Sequence, residues 1–566
     1  MVYVLADNII SPLGTTSEEN YLSVKAGKSG IRVYAPGSNG LPDGFAASLM
    51  NGHFEDLAFR SAMSAMQNSA IDVSNKRTIF ILSTTKGDID KQGKKSDGEI
   101  CLGDIAQRIA MKLGINTQPL VVCNACISGL SALILANRLL EADKYDYAVV
   151  CGCDCPGHFV ISGFQSLKAL SSVPCRPFDI ERLGLNLGEA AATVVLGRNI
   201  PAQSSTLTSK KSFWQIKRGA IKNDAFHIST PSKTGEGLYK ALEDIIDESI
   251  DNLAFVNTHG TATMFNDQME SVAIQRAGLS DVPANALKGY LGHTLGAAGV
   301  LETILSMKAS EDHTVIGTLG YEEPGISGKV NMSATHRPTD KTSFIKMLSG
   351  FGGCNAAIWA DMQPANTHCD VAEDAHTPTI VRRHRVQISP DSVIINGQRL
   401  CTDGMQENEN LLTFLYKHKI GDYPKYYKMD GLSRLGFVAS ELLLQAEHAE
   451  RFIECDNRAV ILFNRTSTIS TDKKYLESIS DKDNYFPSPS LFVYTLPNIV
   501  TGEIAIRNHY HGETSFYVLQ SKDETMIWNV LETAFMDKKT ESVLTGWIDY
   551  ENDACFEAEL YILEKK

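Results

Sequence analysis

Short β-branched apolar runs alternate along the chain with segments whose apolar residues recur at three- and four-residue spacing. Residues 3–6 read as a strand closed by the turn Ser11-Pro12-Leu13-Gly14, and 55–70 as a helix. The strand 78–82 follows, then the polar loop STTKGDIDKQGKKSDGE, and 105–112 is helical again. Leu120-Val121-Val122 then passes through small residues, Cys126 among them, into ISGLSALILANRLLEA, which predicts strand, tight elbow and helix. Residues 147–151 form the next strand, and the Gly-rich loop from Arg176 runs into a buried strand ending at Gly197. The alternation resumes through Phe255-Val256 and 288–308 and closes with FIKMLSGFGGCNAAIWADM. Strands and helices in this order predict α/β layers packed around sheets.

At 566 residues the chain is too long for one ordinary core. The polar stretch PANTHCDVAEDAHTP marks a linker at 366–379, between a unit at 1–365 and another at 380–566. The second unit echoes the first. The segment from Leu435 (helix, polar turn, strand, Ser/Thr loop) follows that from Leu57, and the segment from Leu496 takes the place of the helix before Cys126. SVLTGWID parallels YAVVCGCD, and FEAELYILE parallels EAAATVVLG. The order of elements, more than identity at any position, predicts a repeated half-domain.

Composition narrows the function classes. A net charge of −14 argues against a general nucleic-acid binder, and no run of about 18 apolar residues predicts a membrane span. Twelve cysteines show no disulfide-framework spacing, and the N-terminus has no basic stretch ahead of a long apolar one. A reducing cytoplasm is the expected location.

Cys126 at the start of a helix has the setting that favours thiolate, although a buried core thiol is an equal reading on this stretch alone. Cys151, Cys153, Cys155 and His158 invite a metal reading, but on a strand the three cysteines line one face at a pitch too long to share one ion, so no metal site is expected. Asp179, Arg182 and Glu189 read as buried ion pairing that shapes a loop.

NACISG, RPFDIERLGLNLGEAA, NTHGTATMFND, KGYLGHTLGAAG and GFGGCNA, in this order over residues 1–362, resemble the β-ketoacyl-acyl carrier protein synthases. The resemblance implies the thiolase-like αβαβα five-layered fold, with an α/β half-thiolase-like domain at 380–566. It implies decarboxylative condensation of thioesters held on the phosphopantetheine arm of an acyl carrier protein, without a cofactor. It further implies Cys126 as nucleophile, His259 and His293 as the pair acting at the malonyl step, and Lys288 with Glu302 beside His293. Thr261 and Thr263 would contact the phosphopantetheine arm. Phe351 would be a gate, and its N–H with that of Cys126 an oxyanion hole, in a loop that Gly352 helps to bend.

A homodimer, or a heteromer with another synthase-like subunit, is the expected assembly. Ala262 stands where many relatives have Gly or Ser. The half-copy resembles proteins of flexirubin and aryl polyene pathways in Bacteroidota, which favours a pigment setting. A housekeeping fatty-acid elongation synthase and a non-catalytic chain-length-factor-like partner are the alternatives. A basic patch including Arg108, Lys112, Lys210 and Lys211 is the expected carrier contact.

Overall fold

The computed structural model describes residues 1–566 other than 51, 93–100, 202–203, 247–249, 365–378 and 407–408. Most of the 366–379 linker and part of the 83–99 loop lie outside the described residues.

Five strands open the first unit: β1 (Tyr3–Ile10), β2 (Thr78–Ser83), β3 (Leu120–Val122), β4 (Tyr147–Asp154) and β5 (Ala190–Gly197), in spatial order β1-β5-β4-β2-β3. β2 runs parallel to β3 and β4, while β5 runs antiparallel to β1 and β4. Every residue of β2 and β5 is buried, as strands covered on both faces require. Helices α1 (Phe54–Ser69) and α2 (Leu102–Leu113) cover the outer face, and α3 (Ser128–Glu141) the inner one. α4 (His158–Ser166) lies at the edge that meets the C-terminal unit.

A second sheet is built from β6 (Ser212–Asn223), β7 (Leu253–Asn257), β8 (Pro283–Asn285), β9 (Asn331–Met332), β10 (Ser343–Gly350) and β11 (Cys354–Pro364). Its order is β9-β8-β7-β10-β11-β6. α5 (Glu236–Ile245) and α6 (Met264–Arg276) belong to the outer layer of this sheet, and α7 (Ala298–Glu311) lies beside α3 between the two sheets. α3 and α7 are buried nearly all round because both are interior. They meet backbone to backbone: a Cβ on Gly299 would sit 2.2 Å from Leu130 N, and one on Gly129 2.8 Å from Gly296 O. Only glycine allows that approach.

The C-terminal unit repeats the first half-domain. Its strands are β12 (Ile380–Ser389), β13 (Ser392–Ile395), β14 (Gln398–Arg399), β15 (Arg458–Asn464), β16 (Thr514–Val518), β17 (Ser542–Asn552) and β18 (Cys555–Lys565). Its helices include α8 (Gly431–Glu447), α9 (Ile469–Ser480), α10 (Pro489–Tyr494), α11 (Ile499–Asn508) and α12 (Glu524–Ala534). The order β16-β15-β17-β18-β12 mirrors β3-β2-β4-β5-β1, with the same parallel and antiparallel pairings. Detail repeats too. Asp154 accepts from Thr84 Oγ1 and from the N–H of Thr85, and Asp549 accepts from the N–H of Arg465 and Thr466.

The two halves join through β3 and β16, antiparallel, with Val122 opposite Tyr517 and Val121 opposite Val518. One 12-stranded sheet results. This pairing is that of a local two-fold axis, which carries Cys126 onto Lys522; the copy has no thiol there. Buried ion pairs cross the junction: Lys86–Asp472 at 2.6 Å, Arg138–Glu513 at 2.6 Å and Lys222–Asp537 at 3.0 Å. α12, the counterpart of α3, packs against α3 itself. Trp547 and Tyr561 line the inner face beyond it, with Arg382 lying 4.1 Å over the Tyr561 ring.

Removing residues 365–566 bares the β3 edge, the apolar face of α3 and two buried charges, Lys86 and Arg138, whose acids lie in the removed part; Lys222 keeps Asp244 at 2.8 Å. Losing one partner of a buried pair costs about 3–5 kcal/mol. The truncated chain is expected to aggregate, or to lose at least 10 °C in melting temperature on scanning fluorimetry, as several kcal/mol require in a chain of this size. A soluble truncation that melts with the full chain would show the two halves to be independent.

Candidate active site

Beyond β3 the chain turns through Asn124 and Ala125, the latter left-handed at φ 47°, and delivers Cys126 to the start of α3. The C-terminal unit holds this elbow. Phe516 N–H donates to Asn124 Oδ1 at 2.7 Å, and Cys123 N–H to Phe516 O at 3.0 Å. Cys126 is half-buried, and His259 and His293 are buried beside it. The sulfur and one nitrogen of each ring lie within 4.8 Å of one another, and the rings meet edge to face with centroids 4.9 Å apart.

Each histidine is held by its surroundings. Glu270 of α6 accepts from the N–H of His259 at 2.6 Å and of Gly260 at 2.8 Å. Lys288 Nζ donates to His259 O at 2.6 Å and to Glu302 Oε1 at 2.8 Å. Lys288 and Glu302 are buried, so theirs is no surface salt bridge. Leu295 N–H donates to His293 Nδ1 at 3.2 Å, which puts the ring proton of His293 on Nε2. That Nε2 is buried without a protein partner, as is His259 Nδ1.

Burial, with Lys288 and Lys346 adding to it, holds both imidazoles well below the usual histidine range, so both are neutral near pH 7. Cys126 departs from the thiolate expected of a helix start. Burial pushes its thiol up to about 12, against the pull of Lys288. The helix end and the cation therefore act on negative charge as it forms on sulfur, not on a standing thiolate.

A cavity of about 400 Å³ leads to the trio, lined also by Thr261, Thr263 and Phe351. The Thr261 and Thr263 hydroxyls lie 2.9 Å apart. Between them Ala262 is left-handed at φ 61°, a conformation natural to glycine and costing an alanine about 1 kcal/mol. The Phe351 ring stacks on Phe164 with centroids 6.3 Å apart. Gly350 brings its loop against the elbow: a Cβ there would lie 3.2 Å from Cys126 N. Gly352 does not serve as an oxyanion donor, because its N–H is engaged by Ile228 O at 2.6 Å; it is a left-handed bend at φ 92°.

Behind Cys126 lies a smaller apolar cavity of about 20 Å³, whose walls include Val160, Phe164 and Leu295 and, from the C-terminal unit, Phe492 and Leu496. Gly163 makes room for Phe492: a Cβ there would come 2.1 Å from the ring. Asn498 Nδ2, next along the same segment, donates to Phe351 O at 2.7 Å.

Other expected residues lie elsewhere. Arg108 is paired with Glu55 on the α1–α2 layer, and none of Arg108, Lys112, Lys210 or Lys211 lines the 400 Å³ cavity. The Cys151 and Cys153 thiols face the Ala58 and Phe54 carbonyls. Asp179 pairs with Arg176, not Arg182, and Glu189 accepts from the N–H groups of Met50 and Gly52. Sequence reading passed over Glu270, Lys346, Asn124, Phe492 and Asn498. A lysine inside the apolar run FIKML was the one available signal among them.

The layered topology is the thiolase-like ketosynthase fold. Residues 54–202 match the family model described as beta-ketoacyl synthase, N-terminal domain, and 214–322 the one described as beta-ketoacyl synthase, C-terminal domain. The chain is 30% identical over 252 residues to 3-oxoacyl-[acyl-carrier-protein] synthase 2 of Rhizobium meliloti (strain 1021), covering 42% of this chain and 59% of that one. It is 30% identical over 268 residues to the tetracenomycin polyketide synthase ketoacyl synthase alpha subunit of Streptomyces glaucescens, covering 45% and 62%. The aligned region thus spans about 60% of the length of these relatives. Among solved structures, the PfaC keto synthase–chain length factor aligns over all of this chain and 78% of its own, with TM-score 0.79 and 15% identity. The ishigamide ketosynthase/chain length factor aligns over 64% of this chain and 98% of its own, with TM-score 0.58 and 22% identity. No helix among the described residues is long and apolar enough to cross a membrane.

Cys126 should react as a thiol. Its alkylation by iodoacetamide, followed on the Cys126 peptide by mass spectrometry, is expected to rise about tenfold per pH unit from 7 to 10 without levelling. A plateau below pH 8 would show a standing thiolate.

Proposed function

We propose that the chain is a β-ketoacyl synthase whose C-terminal half-domain stands in for a second, chain-length-factor-like subunit. The observation that carries this is the convergence of Cys126, His259 and His293 at the end of a strand paired with that half-domain.

In the first half-reaction the Cys126 sulfur attacks the carbonyl of an acyl thioester. The new C–S bond forms as the bond from the carbonyl to the carrier's sulfur breaks, and the thiol proton passes to that sulfur, which leaves as a thiol. The Cys126 N–H at the elbow, with the N–H of Phe351, is the donor pair for the oxyanion. Thr261 and Thr263 line the channel where a phosphopantetheine arm would lie. In the second half-reaction a malonyl thioester loses CO2, and the electron pair of the broken C–C bond passes into an enolate. His293 Nε2–H is an unengaged donor for the enolate oxygen, and the neutral His259 ring beside it adds a second polar contact. The enolate carbon then attacks the acyl-Cys126 carbonyl. A C–C bond forms, the C–S bond breaks, and the departing sulfur takes a proton from solvent.

The half-domain supports this reading in two ways. It buttresses the elbow through Phe516, and its segment 492–498 closes the apolar cavity and holds the Phe351 loop. With only about 20 Å³ open behind Cys126, the acyl group accommodated without movement is short. An acyl carrier protein is the proposed substrate carrier, and a polyketide or polyene pigment its proposed setting. The second reading, a non-catalytic partner, is disfavoured by the intact trio. Because β3 is already paired, a homodimer through that edge is not proposed.

Incubation with an acyl-carrier thioester is expected to add one acyl group, absent in Cys126→Ala. His293→Ala should still be acylated but release CO2 from malonyl-carrier about 10²–10³-fold more slowly. An undiminished adduct in Cys126→Ala would remove the proposal. Phe492→Ala is expected to raise kcat/KM for acyl groups of eight carbons or more relative to acetyl; an unchanged ratio would show that the half-domain does not shape the pocket.

A further inference from the structure

Lys346 lies in the middle of β10, fully buried, a position that apolar residues occupy elsewhere in the strand. Its Nζ donates to Glu302 Oε2 and, at 2.9 Å, to Thr258 O. Glu302 thus stands between two ammonium groups, Lys288 on Oε1 and Lys346 on Oε2. The lysines donate in turn to consecutive carbonyls, Thr258 O and His259 O, so His259 is gripped at its own carbonyl and at the one before it. Glu302 balances one of the two cations, and the other acid near Lys346, Glu270, is a carboxyl that burial pushes up to about 7. A buried charge is normally paired, so an extra cation beside two neutral imidazoles calls for an explanation.

We propose that Lys346 is a positioning residue for the malonyl half-reaction: with Lys288 it fixes the His259 loop, and it supplies the unbalanced positive charge that favours the enolate. This rests on the condensing activity proposed above. The acylation step places its charge at the Cys126 elbow, where the donors are backbone N–H groups. Decarboxylation places its charge on the oxygen facing His293 and His259, the two rings on which Lys346 acts electrostatically. The groups around Lys346 are Glu302 of α7, Lys288 ahead of α7, Glu270 of α6 and the two histidines. Burial, reinforced by Lys288, brings its ammonium down to about 8, against the pull of Glu302 and Glu270. Raising the pH through that value discharges Lys346 and leaves the Lys288–Glu302 pair neutral overall. The rate of decarboxylation therefore falls on the alkaline side.

The test measures CO2 release from malonyl-carrier and, separately, acylation of Cys126, from pH 6 to 10, in the full chain and in Lys346→Met and Lys346→Arg. Wild type is expected to show an alkaline limb in CO2 release near pH 8. Lys346→Met should lack that limb and run about 10- to 100-fold slower at pH 7, the scale of a misplaced catalytic group, with acylation within about twofold of wild type. Lys346→Arg, which keeps a charge that does not titrate, should recover rate and move the limb above pH 9. Should Lys346→Met fail to fold, the limb in wild type and its displacement in Lys346→Arg decide the matter. A Lys346→Met or Lys346→Arg profile superimposable on wild type overturns the inference. Failure of wild type to acylate Cys126 or release CO2 strikes instead at the condensing activity.

Discussion

Everything at the candidate site depends on the pairing of β3 with β16. β3 is three residues long and carries the elbow that presents Cys126. Alone it would be an unpaired edge, and edge strands are where sheets fray or associate. β16 satisfies it, and Phe516 extends the ladder past the strand to Asn124 and Cys123. The left-handed backbone at Ala125 is thereby held from outside the first unit. Strain of this kind persists only where the surroundings over-determine it.

The same junction explains what a half-domain without a thiol contributes. A two-fold axis relates it to the first half-domain and leaves Lys522 where the nucleophile would be. It nonetheless supplies Phe492 and Leu496 to the cavity behind Cys126, and Asn498 to the Phe351 loop. On the opposite side of the trio, a layer of buried charge restrains His259: Glu270 at its N–H, Lys288 at its carbonyl, and Lys346 at the carbonyl before it. Apolar packing shapes the acyl side, and charge shapes the side where the enolate forms.

Much of this was legible in the sequence. Periodicity gave the strand–elbow–helix at Cys126, and the order of elements gave the repeat, because both are local patterns. Pairing across the junction was not legible, since a run such as Thr514–Val518 reads as a strand whichever edge it joins. The thiol state of Cys126 was left open for a similar reason: a helix start is visible in sequence, but the burial that outweighs it belongs to the assembled fold. Lys346 is a lysine within an apolar strand, and only the fold places Glu302 beside it. The assignment of the ring proton to Nε2 of His293 required the Leu295 N–H.

The central claim is that one chain contains both the nucleophile and the partner half that completes its site. Native mass spectrometry of the full chain after incubation with an acyl-carrier thioester tests it most directly. The account predicts an acylated species at the mass of one chain, carrying a single acyl group. A single chain that stays unmodified, while only a species of twice the mass is acylated, would contradict it.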